Sequence, residues 1–179
     1  PVFAETDTPE SWAEAVAAAG YRAAFCPLKP EAGDDTVQAW AEAARRGDIV
    51  VAEVGAWSNP LSPDQETAAA ALEKCKSSLA LADRIGARCC VNIAGSRGSK
   101  WDGPDAADLT DETFDLIVTQ VRDIIDTVRP TRSFYALETM PWMYPDSPDA
   151  YLRLIEAIDR KAFAVHLDRK SPHVRKQGQ

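Results

Sequence analysis

Two acidic residues end two short apolar segments whose composition is typical of β-strands. Residues 133–138 end in Glu138, and residues 162–168 end in Asp168, which shares its strand face with His166 because side chains alternate along a strand. Alternating strand–helix folds place their chemistry at the C-terminal ends of the strands. Two carboxylates that meet there offer hard oxygen ligands to a divalent cation. Each acid alone could equally cap the loop that follows it, but the pair favours a site.

Three further residues near predicted strand ends are candidates for ligand contacts. Glu53 lies between two apolar residues that are expected to face helices, so its side chain is expected to point to the other side of the sheet. Asn92 points the same way if Val91 and Ile93 face the helices. Trp57 lies in the loop after the strand of Glu53, where it is either a ligand contact or an ordinary loop anchor.

Three more residues are candidates for ligand contacts, although each could instead have an ordinary structural role. Arg97 lies in the polar loop at residues 95–101 and could receive an anionic group, although a solvated loop charge is more common. Trp142 is predicted to form part of an apolar wall after Glu138. His166 either contacts a ligand and tunes the acids beside it, or is a hydrogen-bonded core histidine, which is the more common role.

The composition is that of an ordinary globular protein, since 45% of the 179 residues are hydrophobic and 27% are charged. A formal net charge of −8 argues against nucleic acid or an anionic membrane surface as a partner. No apolar run approaches the length of a membrane span and no leader pattern is expected, so a cytoplasmic location is predicted. The four cysteines have no metal or redox spacing and are predicted to be small buried residues in a reducing compartment.

Helix starts follow a repeated pattern of a hydroxyl residue, a proline and an acid, as at Thr8, Ser62 and Ser147. The hydroxyl accepts a backbone N–H, the proline needs no donor there, and the acid suits the helix dipole. Together with apolar periodicity, this pattern predicts helices over residues 9–19, 35–46, 63–85, 111–128 and 148–158. Strands are predicted at residues 1–4, 22–26, 49–54, 88–94, 134–138 and 163–168.

These strand–helix alternations predict an α/β fold with a parallel sheet, either a doubly wound open sheet or a (β/α)8 TIM barrel. The barrel is favoured because residues 4–7 lack the glycine-rich sequence of a dinucleotide-binding fold, and because Glu53 suits the polar upper layer of a barrel. About six of the eight units of a full barrel are expected in one domain over residues 1–179. A C-terminal portion is therefore expected to be absent or to come from another chain.

Three stretches of the sequence resemble the sugar phosphate isomerase/epimerase family of xylose-isomerase-like TIM barrels: residues 136–143, 146–155 and 164–168. Residues 52–60 are similar to that family's third strand and the loop after it. The resemblance covers nearly the whole chain up to Asp168. It implies a TIM barrel and a small sugar or sugar phosphate as the substrate.

The resemblance also implies a divalent metal held by Glu138 and Asp168, with Mn²⁺ or Mg²⁺ expected and Zn²⁺ or Co²⁺ as alternatives. The family completes this site with a histidine and a glutamate from two further strands that are not expected in this chain. By this resemblance, the metal would supply Lewis-acid stabilisation when a carboxylate removes the proton next to a sugar carbonyl, which gives an enediolate. Glu138 would then be both a metal ligand and one of two acid–base groups, the other coming from the family's eighth strand. The residues predicted to contact the substrate are Glu53, Trp57, Asn92, Arg97, Trp142 and His166.

A second interpretation is a non-catalytic truncated barrel that serves as an assembly or binding module. The unpaired edges of an incomplete barrel predict a homo-oligomer in either case. A third interpretation, a metal-dependent endonuclease acting at abasic DNA sites, is disfavoured by the acidic charge. The first two interpretations differ in whether a third and a fourth metal ligand exist in the folded particle.

Overall fold

Five strands and five helices alternate along residues 7–167, the part of the chain that the computed structural model describes. The helices are α1 (Pro9–Ala18), α2 (Asp34–Arg46), α3 (Gln65–Ile85), α4 (Asp111–Val128) and α5 (Pro148–Ile158). The strands are β1 (Ala23–Phe25), β2 (Val50–Gly55), β3 (Cys89–Asn92), β4 (Phe134–Glu138) and β5 (Phe163–His166). Each element was predicted to within two residues at either end. The strand predicted at residues 1–4 and the predicted strand-end residue Asp168 lie outside the described residues.

The five strands are parallel and follow one another across the sheet in chain order, from β1 to β5. A doubly wound sheet reverses its strand order at a switch point, and the described strands show no such reversal. Because β–α–β connections are right-handed, an unreversed order places all the helices on one face of the sheet. Successive helices accordingly pack against one another. This is the arrangement of a barrel wall, as predicted.

Side-chain caps explain where three of the helices begin. Thr8, Thr110 and Ser147 each accept a hydrogen bond from the backbone N–H three residues later. Each bond satisfies one of the N–H groups that the first turn of a helix leaves without an intrahelical partner. The local sequence therefore sets the starts of α1, α4 and α5, and the capping pattern predicted those of α1 and α5.

The cap of α3 differs from the prediction. The capping residue is Asp64, whose carboxylate accepts the N–H of Thr67 over 2.8 Å, so the helix begins at Gln65. Ser62 was predicted in this role, but its hydroxyl accepts the N–H of Asp64 over 3.2 Å and forms a turn ahead of the helix. A carboxylate at this end also interacts favourably with the helix dipole, which favours Asp64 over the serine.

The hydrophobic core lies between the helices and the outer face of the sheet. Tyr135 and Leu137 of β4 belong to this core, and both are 1% exposed. Val91 and Ala136, which are register partners, are also buried but lie on the opposite, inner face. Burial on both faces is typical of a parallel sheet. Within residues 7–167, no helix combines the length and apolar character needed to cross a bilayer.

The four cysteines are free thiols with two different environments. Cys75 and Cys90 are fully buried, and burial raises the pKa of both thiols, which keeps them neutral. Cys26 and Cys89 are only half-buried. The prediction that all four are buried is therefore wrong for these two.

Asp83, near the C-terminal end of α3, anchors the segment that leads into β4. Its carboxylate accepts the backbone N–H groups of Thr131, Arg132 and Ser133 over 2.8, 2.6 and 3.1 Å. Burial opposes ionisation of Asp83, but these hydrogen bonds outweigh burial and lower its pKa. The start of β4, and with it Glu138 at the other end of the strand, is thus tied to α3.

Replacing Asp83 with alanine is expected to lower the free energy of unfolding by about 1–3 kcal/mol, because backbone donors lose their acceptor. Urea unfolding followed by circular dichroism measures this change, with Asp115→Ala, at an exposed carboxylate of α4, as the matched control. The pKa of Asp83 is lower in the folded state, so its contribution is present above the unfolded pKa of about 3.9. The contribution is lost as the pH falls through the folded value, so the two variants should converge in strong acid. Equal stability of both variants at neutral pH would contradict the anchoring role.

Candidate functional site

The inner face of the sheet carries ionisable residues at the C-terminal ends of two neighbouring strands. Glu138 ends β4 and His166 ends β5, and the two are register partners, so their side chains leave the same face next to each other. Glu138 is half-buried, and the side chain of His166 is 24% exposed. Asp168, predicted to bind a metal together with Glu138, lies outside the described residues.

Glu53 reaches His166 across the inside of the sheet. Its Oε2 atom lies 3.0 Å from Nε2 of the imidazole, and the glutamate side chain is 12% exposed. The two residues belong to β2 and β5, which a flat sheet would hold about 14 Å apart because neighbouring strands are spaced by about 4.8 Å. Direct contact therefore requires the sheet to curl as a barrel wall does. Both side chains were predicted to point inward, and the structure brings them together.

Tyr151 of α5 holds the ends of β4 and β5 together. Its hydroxyl donates a hydrogen bond to the carbonyl of Leu137 and accepts one from the backbone N–H of His166 over 3.1 Å. Burial raises the pKa of Tyr151 to about 12, so the hydroxyl keeps its proton. The tyrosine thereby fixes the backbone that carries Glu138 and His166. The sequence analysis missed it because nothing in a helical tyrosine indicates which strand ends it will reach.

Cys89 is another inner-face residue that the sequence analysis did not assign to the site. It is the register partner of Glu53 and is half-buried. Burial, followed by the nearby charge of Glu53, raises the pKa of Cys89 to about 11. The thiol stays protonated near neutral pH and is therefore a poor nucleophile. Cys89 acts here as a small neutral neighbour of the glutamate.

Trp57 covers the inner face just beyond β2. A Cβ atom built on Gly55 would lie 2.1 Å from Nε1 of Trp57, so the indole fills the space that a side chain at position 55 would take. Gly55 alternates onto the same face as Glu53, which places the indole on the inner side of the sheet. The tryptophan is 42% exposed. Glycine is required at position 55 because only its missing side chain allows the ring to approach the strand this closely.

Asn92 faces the helices and not the interior of the barrel. Its amide oxygen accepts the N–H of Ser58 over 2.9 Å, and its amide nitrogen donates to the carbonyl of Ser58 over 3.2 Å. The amide nitrogen also lies 3.3 Å from Sγ of Cys75 on α3. The prediction that Asn92 points inward is wrong, because Val91 and not Asn92 occupies the inner face. Asn92 instead holds the loop that carries Trp57.

The loop after β3 is built around a buried carboxylate. Asp108 is 0% exposed and accepts hydrogen bonds from the hydroxyl of Ser96 and the backbone N–H groups of Arg97 and Asp105, over 3.0, 2.7 and 2.8 Å. Asn59 donates to the carbonyl of Ser96 over 3.0 Å, which joins this loop to the loop after β2. The two loops at the C-terminal ends of β2 and β3 are therefore one hydrogen-bonded unit. Sequence reasoning missed both Asp108 and Asn59, since loop polarity alone does not distinguish them.

The side chain of Arg97 lies beside an acid of α4. Its guanidinium is 3.9 Å from the carboxylate of Glu112, and the arginine side chain is 30% exposed. The neighbouring Lys100 is likewise 3.7 Å from the carboxylate of Asp102. Among the contacts of the described residues, none joins Arg97 to Glu53. Its predicted contact with the substrate remains a prediction.

The segment after Glu138 contains two buried polar atoms that lack a hydrogen-bond partner among the described residues. They are Oγ1 of Thr139 and Nε1 of Trp142. The tryptophan is half-buried and packs against the hydrophobic core. Buried polar groups are nearly always hydrogen-bonded, so such atoms mark places where a polar ligand or a water is accommodated. Unused hydrogen-bonding capacity thus lies directly after Glu138.

The described residues include a carboxylate, Glu138, that would suit a hard cation. Glu138 has a suitable donor group and a suitable position, at the C-terminal end of a barrel strand on the inner face. Within residues 7–167, however, no three His, Cys, Asp or Glu side chains are grouped so as to hold an ion. A complete ligand set needs donors from beyond this range, of which Asp168 is the predicted one.

A family model described as xylose isomerase-like TIM barrel matches residues 13–175. No curated protein matches the chain in sequence. Many solved structures match the chain in fold.

Three of these structures show the range of proteins that share the fold. D-psicose 3-epimerase with D-tagatose from Clostridium cellulolyticum H10 is 16% identical at a TM-score of 0.72, and the match covers 98% of this chain and 62% of that one. 3-Keto-D-glucoside 4-epimerase from E. coli is 11% identical at a TM-score of 0.68, with 96% and 67% covered. A xylose isomerase-like TIM barrel protein from Mycobacterium smegmatis in complex with magnesium is 17% identical at a TM-score of 0.59, with 92% and 57% covered.

This chain thus spans less than two thirds of the length of the Clostridium epimerase. Sequence identities this low establish the fold alone. The family match covers most of the chain and agrees with the unreversed strand order and the curled sheet. The chain belongs to the xylose isomerase-like TIM barrel family.

Proposed function

We propose that this chain forms part of a divalent-metal-dependent sugar isomerase or epimerase that transfers a proton next to a carbonyl group. The observation that carries the proposal is the grouping of Glu53, Glu138 and His166 on the inner face, from three different strands. Ionisable groups collected inside a barrel are costly to bury and are a common feature of active sites. The similar structures include sugar epimerases and a protein in complex with magnesium, which supports this class of chemistry.

The chain's own residues would divide the work of such a reaction. A divalent ion held by Glu138 and Asp168 would supply Lewis-acid stabilisation of negative charge on the substrate oxygens. Glu138 would also take the proton from the substrate carbon or return it. His166 is held by Glu53 at Nε2, which fixes the imidazole beside Glu138. Tyr151 holds both strand ends, so these groups are in position before a substrate arrives.

The substrate that we propose is a small neutral sugar and not a sugar phosphate. Arg97 and Lys100, the cations of the loop after β3, lie 3.9 and 3.7 Å from carboxylates that already offset their charge. The inner face offers acids and the flat ring of Trp57, which suit the hydroxyl and C–H groups of a sugar better than a phosphate dianion. D-Tagatose, present in the Clostridium epimerase structure, is a neutral ketose of this class and is a suitable probe.

A role in assembly is a second candidate, and two exposed aromatic residues favour it. Phe25 and Phe134 are in register with Glu53 and Cys89 across β1 to β4, so they share the inner face. They are 67% and 45% exposed, respectively. Large apolar side chains that remain exposed on one face are typical of an interaction surface. A second copy of the chain is the partner proposed for this surface.

Glu138→Gln is expected to weaken Mn²⁺ binding by about tenfold or more, because a neutral amide replaces a charged oxygen ligand. Isothermal titration calorimetry measures the affinity, and thermal unfolding checks that the variant remains folded. Glu156→Gln, at an exposed glutamate of α5, is the matched control and should bind Mn²⁺ as the wild type does. Equal Mn²⁺ binding by the wild type, Glu138→Gln and Asp168→Asn would contradict the metal site.

The reaction class is tested by incubating the protein with Mn²⁺ and D-tagatose, D-fructose or L-ribulose in D₂O. Proton transfer next to the carbonyl should form a new ketose or an aldose, or place deuterium on that carbon, and NMR detects each of these. Glu138→Gln is expected to slow this reaction by about 10²- to 10⁴-fold, the usual contribution of an acid–base group. Glu156→Gln should react at the wild-type rate. A wild-type protein that binds Mn²⁺ but converts none of the three sugars would argue against an isomerase or epimerase of ketoses.

Self-association through the inner face is tested by sedimentation velocity at high protein concentration. The wild type is expected to sediment as a species heavier than the 19.5 kDa monomer. The double variant Phe25→Glu/Phe134→Glu should shift it towards the monomer, because charges would replace apolar contacts. Leu152→Glu, at a side chain of α5 that is 61% exposed, should leave the distribution unchanged. A strictly monomeric wild type would exclude this assembly.

A further inference from the structure

The backbone of Trp57 is held in an unusual conformation. Its φ angle is 34°, in the left-handed region that bulky side chains rarely adopt. Three other non-glycine residues within the described range have a positive φ, namely Asp48, Arg129 and Asp159. Each of these follows the end of a helix, where a left-handed residue is a routine cap. Trp57 lies in the loop after a strand, so its conformation needs another explanation.

Hydrogen bonds from two directions hold this conformation. The side-chain amide of Asn92 bonds both the N–H and the carbonyl of Ser58, the residue directly after Trp57. The ammonium group of Lys74 on α3 donates to the carbonyl of Trp57 over 3.2 Å. Asn92 is itself 0% exposed and has a further contact with Cys75. We call the pair of bonds between Asn92 and Ser58 the amide clamp.

The amide clamp lies on the helix side of the sheet, but its effect reaches the inner face. With Ser58 fixed, the indole of Trp57 lies against Gly55, in the place of a side chain on the inner face. Glu53 lies two residues before Gly55, so the two positions are on the same face of the strand. The exposed part of the indole is therefore presented to the same space as the acids. Strained residues of this kind are found where the surrounding structure positions a functional group.

We propose that Asn92 is a positioning residue that holds Trp57 as a stacking platform for the apolar face of a sugar. This inference rests on the proposed function, because it assigns the platform to the same ligand. A ring fixed before binding loses little freedom when a sugar stacks on it, which favours affinity. The platform contacts carbon-bound hydrogens away from the proton transfer, so it contributes to binding of the substrate and not to the chemical step.

The test compares three variants in the D₂O assay with Mn²⁺ and D-fructose. Trp57→Ala removes the platform, Gly55→Ala displaces the indole from the inner side, and Asn92→Ala releases the amide clamp. Each variant is expected to raise KM by about tenfold while kcat stays within about threefold, the pattern of lost substrate binding. Ser78→Ala, at a buried α3 hydroxyl outside the clamp, should leave both constants unchanged. Asn92→Ser, whose short hydroxyl cannot make both clamp bonds, keeps the test decisive if Asn92→Ala does not fold.

A second measurement follows Trp57 without any sugar. The acrylamide quenching of Trp57 is obtained as the difference between each protein and its Trp57→Phe counterpart. Asn92→Ala should increase this quenching, whereas Ser58→Ala should not, because the clamp bonds only the backbone of Ser58. Unchanged quenching in Asn92→Ala would overturn the positioning role.

The outcomes separate this inference from the proposed function. If the wild type converts D-fructose but Trp57→Ala keeps the same KM, the platform is wrong and the proposed function stands. If Trp57→Ala raises KM but Gly55→Ala and Asn92→Ala do not, the positioning by the clamp is wrong. If the wild type converts no ketose, the proposed function fails together with the stacking role, and the quenching measurement still decides whether Asn92 positions Trp57.

Discussion

The register of the parallel strands is the constraint on which the rest of this structure depends. Side chains alternate between the two faces of a sheet, so a shift of one residue would exchange the inner face with the helix-facing one. The pairing of Glu53 with Cys89 and of Glu138 with His166 directs all four to the inner face. The same register turns Tyr135 towards the helices, where burial of apolar surface supplies the main driving force for folding. The site and the core are therefore two consequences of one pairing pattern.

Most of the polar residues that position the site act on the backbone from the helix side or from within loops. Tyr151 bonds the ends of β4 and β5, Asn92 bonds the loop after β2, and Asp108 bonds the loop after β3. Each has a buried polar group that bonds main-chain atoms, which belong to other elements for Tyr151 and Asn92 and to its own loop for Asp108. Buried groups of this kind are costly unless satisfied, so each one specifies a single arrangement of its partner. Hydrogen bonds on the helix side of the sheet thereby fix the backbone that carries the side chains of the inner face.

The barrel fold of this family hosts many different reactions, so the function must be argued from the residues on its inner face. Here Glu138 carries the argument for acid–base chemistry, and Trp57 carries the argument for a sugar ring as the ligand. Their environments differ in a way that suits these roles. The carboxylate lies at a strand end beside an imidazole, whereas the indole lies on a glycine and remains 42% exposed. In the proposed reaction, the first group would move a proton and the second would offer an apolar surface.

Local patterns in the chain were enough to predict every described helix and strand, because caps, alternation and apolar periodicity depend on neighbours within a few residues. They were less reliable where two local signals competed, as at Ser62 and Asp64 ahead of α3. The direction of Asn92 required knowledge of which β3 side chains meet α3, and the contact between Glu53 and His166 joins residues 113 positions apart. Such contacts arise only once the sheet has curled and the helices have packed, and no short stretch of sequence encodes that curvature.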